Sequence, residues 1–186
     1  SFPIEYLVNQ TKKLVEGGVK EIILVAQETT LYGVDLYGKK SLPKLLHNLG
    51  LIEGLEWIRI LYCYPEEIND ELIEAIKNEP KVCHYLDMPI QHASDNILKR
   101  MGRRTSKQEL TDIVAKLRME IPDIALRTTL ITGFPGETDV DHEEVMQFID
   151  ECEFDRLGVF TYSREEDTVA AQMPDQIDEE IKEKYR

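Results

Sequence analysis

Residues able to bind or react follow several short apolar runs of this sequence. They include amides, carboxylates, a histidine, glycines and phenols, in the segments 27–30, 63–65, 88–92, 133–138 and 162–164. If the apolar runs are parallel strands, these segments follow the carboxyl ends of the strands, where such sheets and barrels bind their ligands. We therefore expect a ligand site at this rim.

Arg127 is the most informative single residue. It lies inside the apolar run 124–132, and Thr129 follows two positions later, on the same face of a strand. A guanidinium within a sheet must meet an acid or an anion, because burying it unpaired is very costly. We expect Arg127 and Thr129 to recognise an anion on the face of the strand that helices leave uncovered.

Two other motifs have structural explanations, which the sequence alone favours over a ligand site. The segment 133–138 lacks the spacing of a nucleotide-phosphate loop, and its glycines also suit a tight turn from strand to helix. Gln91 and His92 also suit a turn, and His92 has no obvious acid partner. These motifs alone do not decide between a ligand site and a well-formed turn.

The cysteines are few and scattered. Cys63, Cys83 and Cys152 are separated by 20 and 69 residues, so no short ligand spacing is present. Such a set favours reduced, buried thiols in the cytoplasm over disulfides or a metal site. We expect these three cysteines to hold no metal together.

Apolar periodicity alternates between helix and strand along the chain. Predicted helices start at or next to residues 4, 41, 69, 106 and 138, where Ser41 and Asn69 are expected to cap their helices and Ser106 with Glu109 to form a capping box. Predicted strands span 22–26, 56–62, 82–87, 124–132 and 156–161. The first strand is apolar throughout and is expected to be buried on both faces. The alternation predicts an α/β fold with a parallel sheet and right-handed crossovers. Periodicity leaves open whether this is a doubly wound sheet or part of a barrel.

Composition excludes several classes of protein. The 186 residues carry 22 basic and 36 acidic side chains, a net charge of −14. This balance argues against binding nucleic acid over the whole surface, and no apolar run is long enough to span a membrane. Residues 96–118 are rich in bases and residues 137–155 in acids. Each segment is either a solvated helix face or a binding surface. As binding surfaces, residues 96–118 would hold an anion and residues 137–155 would face a basic partner.

Five motifs together resemble the radical S-adenosylmethionine (SAM) methylthiotransferases. They are AQETTLYG, LYCYP, DMPIQHASDNILKRMGRR, LRTTLITGFPGET and VFTYSREEDT, and they cover nearly the whole chain in order. The motif LYCYP, with Ala26-Gln27 and His92-Ala93, is most similar to the branch that modifies an aspartate of small-subunit ribosomal protein twelve. The branch that modifies tRNA is the first alternative. An unrelated α/β barrel or binding module without iron is the second.

The resemblance implies an incomplete parallel (βα) TIM-like barrel that uses SAM and two 4Fe-4S clusters. In this family a CxxxCxxC loop holds one cluster, and SAM is reductively cleaved to a 5′-deoxyadenosyl radical. The chain contains no CxxxCxxC. We therefore expect residues 1–186 to be a partial radical SAM core domain. The first strand, the cluster loop, the amino-terminal methylthiotransferase domain and the carboxyl-terminal TRAM domain are expected to be absent from it, and the fragment itself to be inactive.

The resemblance also implies a set of SAM-binding residues. Gln27 occupies the place of a motif that contacts the methionine amino group, Gln91 follows a strand facing the ribose or carboxylate, and Ile131 would contact the adenine. Gly133 would let the backbone approach closely, and Tyr162 would lie near the adenine edge. Arg127 and Thr129 complete this set of SAM-binding residues. The resemblance assigns no catalytic residue to this chain.

The expected partner of the parent protein is a basic ribosomal protein of the small subunit, in the cytoplasm. No membrane and no strong nucleic-acid binding by the fragment are expected. An exposed sheet edge, where the absent first strand would pair, is expected to favour self-association.

Overall fold

The computed structural model describes all 186 residues. The helices are α1 (Ile4–Glu16), α2 (Val34–Tyr37), α3 (Leu42–Gly50), α4 (Asp70–Asn78), α5 (Asp95–Arg100), α6 (Lys107–Glu120), α7 (Asp139–Cys152), α8 (Val169–Gln172) and α9 (Glu179–Tyr185). The strands are β1 (Glu21–Leu24), β2 (Trp57–Ile60), β3 (Val82–Asp87), β4 (Ala125–Thr132) and β5 (Arg156–Thr161). None of the helices combines the length and the apolar character needed to cross a membrane.

The strands form one five-stranded sheet in the order β1-β2-β3-β4-β5. Pairing is parallel between β1 and β2, β2 and β3, and β4 and β5, with Glu21 opposite Trp57 and Arg127 opposite Arg156. The order is open, with β1 and β5 at its edges. The predicted parallel sheet in chain order is confirmed, as an open and not a closed arrangement.

The expected burial of the first strand on both faces is wrong. Because β1 pairs on one side with β2 and lies at the edge of the sheet, its apolar side chains are poorly covered. Ile23 is 52% exposed, and Val25, just beyond the strand, is 59% exposed. Apolar edges of this kind favour association, and the self-association expected through this edge stays a prediction.

A local turn shortens β1, and a residue with left-handed backbone shortens β2, relative to the predicted strands. The N–H of Ala26 donates to Thr29 Oγ1 at 3.2 Å, which turns the chain away from the sheet after Leu24. Tyr62 has a φ of 59°, in the left-handed region that no strand accommodates. The predicted strands 22–26 and 56–62 therefore contract to Glu21–Leu24 and Trp57–Ile60. The bounds of β3 and β5 match the prediction.

The chain divides into two compact units. The first comprises residues 1–88 and 117–126, and the second residues 89–116 and 127–186. In the first unit, α3 and α4 pack on each other and on β2 and β3. The buried side chains there are Leu42, Leu45, Leu46, Leu49, Ile58, Ile60, Leu72, Ile73, Ile76 and Leu86. In the second unit, Val145 and Phe148 of α7 and Leu110 and Val114 of α6 are buried.

Helix starts follow the predicted caps with one exception. Asn69 Oδ1 accepts the N–H of Leu72 at 3.0 Å, and Ser106 and Glu109 form the predicted reciprocal capping box. Thr138 forms another box with Asp141. Ser41 makes no capping bond, and its hydroxyl instead donates to the carbonyl of Lys39 at 3.0 Å. The side-chain cap expected there is wrong.

Thr138 gives a direct test of capping energetics. Thr138→Ala removes the hydroxyl that accepts the N–H of Asp141, so the free energy of unfolding should fall by about 1 kcal/mol. Urea unfolding followed by circular dichroism measures this loss. Thr138→Ser keeps the hydroxyl and is the matched control, and equal losses in both variants would contradict the role of the cap.

The thiols differ in environment. Cys63 and Cys152 are buried, Cys83 is partly exposed, and none is in a disulfide. Burial, with the charges of Glu28 and Asp87, raises the pKa of Cys63 well above its usual range. Burial also raises the pKa of Cys83, where the nearby Arg59 opposes the shift.

These environments predict selective alkylation. A raised pKa lowers the thiolate fraction at any pH below it, and the thiolate is the nucleophile. At pH 8 iodoacetamide should label Cys83 in the folded protein while Cys63 stays unlabelled, and both should react in urea. Peptide mass spectrometry reads the sites. Labelling of Cys63 ahead of Cys83 in the folded state would refute this assignment of burial.

Candidate functional site

The seven residues predicted to bind SAM fall in both units. Gln27 lies in the first unit, just beyond β1, and the other six lie in the second. Gln91 follows β3. Arg127, Thr129 and Ile131 lie on β4, Gly133 follows it, and Tyr162 follows β5.

In the first unit, Gln27 and Glu28 line a cavity of about 810 Å³. Its walls are largely apolar and include Leu24, Leu31 and Leu45. Gln27 is exposed to solvent, whereas the carboxylate of Glu28 accepts hydrogen bonds from the protein's own backbone. It accepts the N–H of Thr30 at 2.9 Å and that of Tyr64 at 3.1 Å. Burial raises the pKa of Glu28, against these hydrogen bonds.

The backbone at the end of β2 is held by acids from both neighbouring strand ends. Besides the bond from Tyr64 to Glu28, the N–H of Tyr62 donates to the buried carboxylate of Asp87 at 3.1 Å. The carbonyl of Tyr62 accepts the N–H of Thr29 at 3.0 Å. These bonds fix Tyr62 in its left-handed conformation, which costs energy for any residue but glycine. The sequence shows LYCYP as a motif but does not reveal this strain.

In the second unit, β4 presents one buried and one half-exposed face. Leu126, Thr128, Leu130 and Thr132 are buried, and the alternate residues Arg127, Thr129 and Ile131 are partly exposed. Arg127 and Thr129 therefore share the less covered face, as the period of two requires. Gly158 of β5 lies opposite Thr129. A Cβ at Gly158 would be 3.9 Å from Arg127 Nη2, so the guanidinium lies close against the β5 backbone.

Gln91 is fixed beside β4 by two backbone hydrogen bonds. Its N–H donates to the carbonyl of Thr129 at 2.9 Å, and its carbonyl accepts the N–H of Ile131 at 2.8 Å. Its φ of 70° is left-handed, a conformation held here by these bonds. A cavity of about 520 Å³ adjoins it, lined among others by Gln91, Ile131, Phe134, Arg100 and Arg103. The structure thus brings Gln91 and Ile131 to one cavity.

Gly133 and Tyr162 have surroundings that the sequence did not predict. The close approach at Gly133 is made by Lys182 of α9, whose Cγ would lie 2.3 Å from a Cβ at this glycine. Tyr162 is 9% exposed and meets Phe134 edge to face, with ring centroids 5.3 Å apart. Lys182 Nζ also donates to the carbonyl of Tyr162 at 3.1 Å. Both residues lie in the packing around Lys182.

The expectation that His92 has no acid partner is wrong. Its Nε2 lies 3.4 Å from Glu137 Oε1, and both side chains are fully buried. The other oxygen of Glu137 accepts the N–H groups of Gly133 at 2.5 Å and Phe134 at 3.1 Å. His92 and Glu137 are 45 positions apart in the sequence, so only the predicted adjacency of two strand ends hinted at this pair.

One base of the 96–118 segment is used inside the fold. A Cβ at Gly136 would be 2.1 Å from Arg100 Nη1, so this glycine makes room for the guanidinium. Arg100 Nη1 donates to the carbonyl of Pro135 at 3.0 Å, and its Nη2 lies 3.7 Å from Asp175. Arg100 therefore ties the turn after β4 in place, besides lining the cavity.

No three His, Cys, Asp or Glu side chains of these 186 residues converge as a metal site would need. The cysteines alone do not provide one either, since Cys63 and Cys152 are buried in different units. The residues present therefore do not fit an iron–sulfur cluster.

Comparison with known proteins agrees with this architecture. The family model described as the Radical SAM superfamily matches residues 1–149. Among solved structures, the radical SAM methyltransferase TsrM from Kitasatospora setae aligns with a TM-score of 0.68 at 14% identity, over 88% of this chain and 31% of that one. Coproporphyrinogen III oxidase (HemN) from Escherichia coli aligns with a TM-score of 0.63 at 19% identity, over 95% and 41%. At such identities the likeness shows the fold alone.

Curated relatives are much closer in sequence. Proteins named ribosomal protein uS12 methylthiotransferase RimO are 68% identical in Lachnoclostridium phytofermentans and 57% identical in Geobacter sulfurreducens. The alignments cover 98% and 100% of this chain, which spans 41% and 42% of those relatives. The resemblance to the methylthiotransferases is thereby confirmed. Because the family model matches most of its residues and the fold agrees, the chain belongs to the radical SAM superfamily.

Proposed function

We propose that the protein containing this chain is a SAM-dependent methylthiotransferase that modifies an aspartate of ribosomal protein uS12. The observation that carries the proposal is the 68% identity over 98% of this chain to a relative of that name. Superfamily membership removes the unrelated barrel and the iron-free binding module as alternatives. Modification of tRNA by the same chemistry stays as the second candidate.

The second unit offers groups that suit SAM. Arg127 provides a guanidinium on the half-exposed face of β4, where a carboxylate can pair with it bidentately. Ile131 and Phe134 provide apolar walls for a purine, and Gln91 adds an amide at the same cavity. We assign Gln91, Arg127, Thr129 and Ile131 to SAM binding. Bound SAM would supply the methyl group and the radical chemistry of the superfamily.

The other three predicted residues have less direct roles in this proposal. Gln27 belongs to it as an exposed amide beside the first unit's cavity. Gly133 and Tyr162 act through Lys182, which covers the glycine and binds the tyrosine carbonyl. They shape the end of β4 and β5 without needing to contact the adenine.

The proposed 4Fe-4S clusters take no ligand set from these residues, so no step is derived through them here. What the chain contributes is binding and orientation. Arg127 fixes a carboxylate. The backbone of Gln91, which is hydrogen-bonded to Thr129 and Ile131, holds one wall of the cavity against β4. A rigid wall of this kind lowers the ordering cost of binding.

The proposed protein substrate suits the charge of the chain. A net charge of −14 favours a basic ribosomal protein over a bare polyphosphate such as tRNA. Ribosomal proteins are the class of partner named for the relatives, and we place the reaction in the cytoplasm on that ground.

Arg127→Leu tests the SAM site. Loss of a charge-assisted, bidentate pair should weaken SAM binding by about tenfold or more in the full-length gene product. Titration calorimetry measures the Kd. Arg156→Leu is the matched control, because Arg156 lies opposite Arg127 in the sheet but is exposed. Unchanged affinity in the Arg127 variant would remove this residue from the site.

The substrate is tested by parallel assays. The full-length gene product, with its clusters reconstituted, is given SAM, a reductant, a sulfur source, and either uS12 or unmodified tRNA. Mass spectrometry should find the methylthio group on an aspartate of uS12 and none on nucleosides. Modified tRNA with unmodified uS12 would instead establish the second candidate.

A further inference from the structure

His92 is held in one tautomer by its own turn. Its Nδ1 accepts the backbone N–H of Ser94 at 3.0 Å, in a buried position. A ring nitrogen that accepts a hydrogen bond carries no proton, so the proton of the neutral imidazole is on Nε2. His92 therefore presents a donor from the ring edge that faces away from Ser94.

That donor faces an oxygen of the Glu137 carboxylate that accepts no hydrogen bond. Nε2 lies 3.4 Å from Glu137 Oε1, but the two atoms do not form a hydrogen bond in the structure, and neither has another hydrogen-bond partner. Buried polar atoms are rarely left unpaired. A small shift that joins His92 to Glu137 would satisfy both.

Other ionisable groups surround the pair. His142 Nδ1 lies 3.8 Å from the same oxygen of Glu137, and its ring stacks on Tyr185 at 4.3 Å. The phenol of Tyr185 donates to Asp139. Burial, together with this carboxylate, raises the pKa of Tyr185 to about 12. Asp141 accepts the hydroxyl of Ser94 at 2.5 Å. The segment after β3 is thus joined to the start of α7 at two points.

The pair connects two walls of one cavity. On one side His92 directly follows Gln91, whose strained backbone is bonded to β4. On the other, Glu137 holds the N–H groups of Gly133 and Phe134. Gln91 and Phe134 both line the cavity of about 520 Å³. A hydrogen bond between His92 and Glu137 would set the spacing of these walls.

We propose that His92 is a positioning residue: as the Nε2–H tautomer it links Gln91 to the turn at Gly133–Phe134 through Glu137, and so preorganises the cavity. This rests on the proposed function, in which that cavity takes SAM. His92 is buried and needs no contact with a ligand. Histidine suits this role because it accepts on one ring edge and donates on the other.

Two substitutions separate the two ring nitrogens. In His92→Gln the amide nitrogen reaches the place of Nε2, so the donor to Glu137 is kept and the acceptor for Ser94 is lost. In His92→Asn the amide oxygen takes the place of Nδ1, so the acceptor is kept and the donor is lost. The variants are matched in polarity and differ in which bond survives.

The first readout needs no ligand. Amide hydrogen exchange at Gly133 and Phe134 in the full-length gene product should accelerate about tenfold in His92→Asn and stay within about threefold of wild type in His92→Gln. Nitrogen-15 shifts of the wild-type imidazole should show Nε2 protonated. Equal exchange in both variants, or a protonated Nδ1, would overturn the proposal.

The second readout ties the pair to binding. The Kd for SAM should rise about tenfold in His92→Asn and little in His92→Gln, since only the former loosens the wall. Equal affinities would overturn the link to the cavity, even if both variants melt at the same temperature. Wild-type protein that fails to bind SAM would contradict the proposed function instead, and the exchange data would still decide the positioning role.

Discussion

The strand ends of this protein depend on buried carboxylates that accept backbone N–H groups. Where a strand stops, its last amides lose their ladder partners, and leaving them unpaired in a buried place is costly. Glu28 and Asp87 serve the end of β2 in the first unit, and Glu137 serves the end of β4 in the second. Charged acceptors make these bonds strong enough to hold backbone that is otherwise strained.

Hydrogen bonds also hold the non-glycine residues with positive φ that occur at the rim. Tyr62 and Gln91 lie shortly after β2 and β3. The carboxylate of Asp87 fixes the backbone of Tyr62, and backbone groups of β4 fix that of Gln91. Rigid turns orient the side chains that leave them, which is what a ligand site requires.

The sequence was sufficient for the sheet order and most helix starts, since these follow from periodicity and local caps. It was sufficient to place Arg127 and Thr129 on one face of β4, because that face follows from a period of two. It failed for β1, which is exposed because it lies at the edge of the sheet, and for Ser41, whose hydroxyl donates to Lys39 and accepts no helix N–H. It also gave no sign that His92 lies beside Glu137 or that Lys182 packs on Gly133. Residues distant in the sequence leave no local pattern when they meet in the fold.

Some carboxylates accept hydrogen bonds inside the fold, so the net charge of the chain overstates the negative charge at its surface. In the acidic segment 137–155, Glu137 and Asp141 are buried and accept hydrogen bonds within the fold. They add little to the field at the surface, because their partners are fixed N–H and O–H dipoles beside them. In the proposed function, the attraction for a basic partner therefore rests on exposed acids of α7 such as Glu143 and Glu151. The start of the segment holds the turn at Gly133 and Phe134 through Glu137, and the rest of it carries the exposed charge.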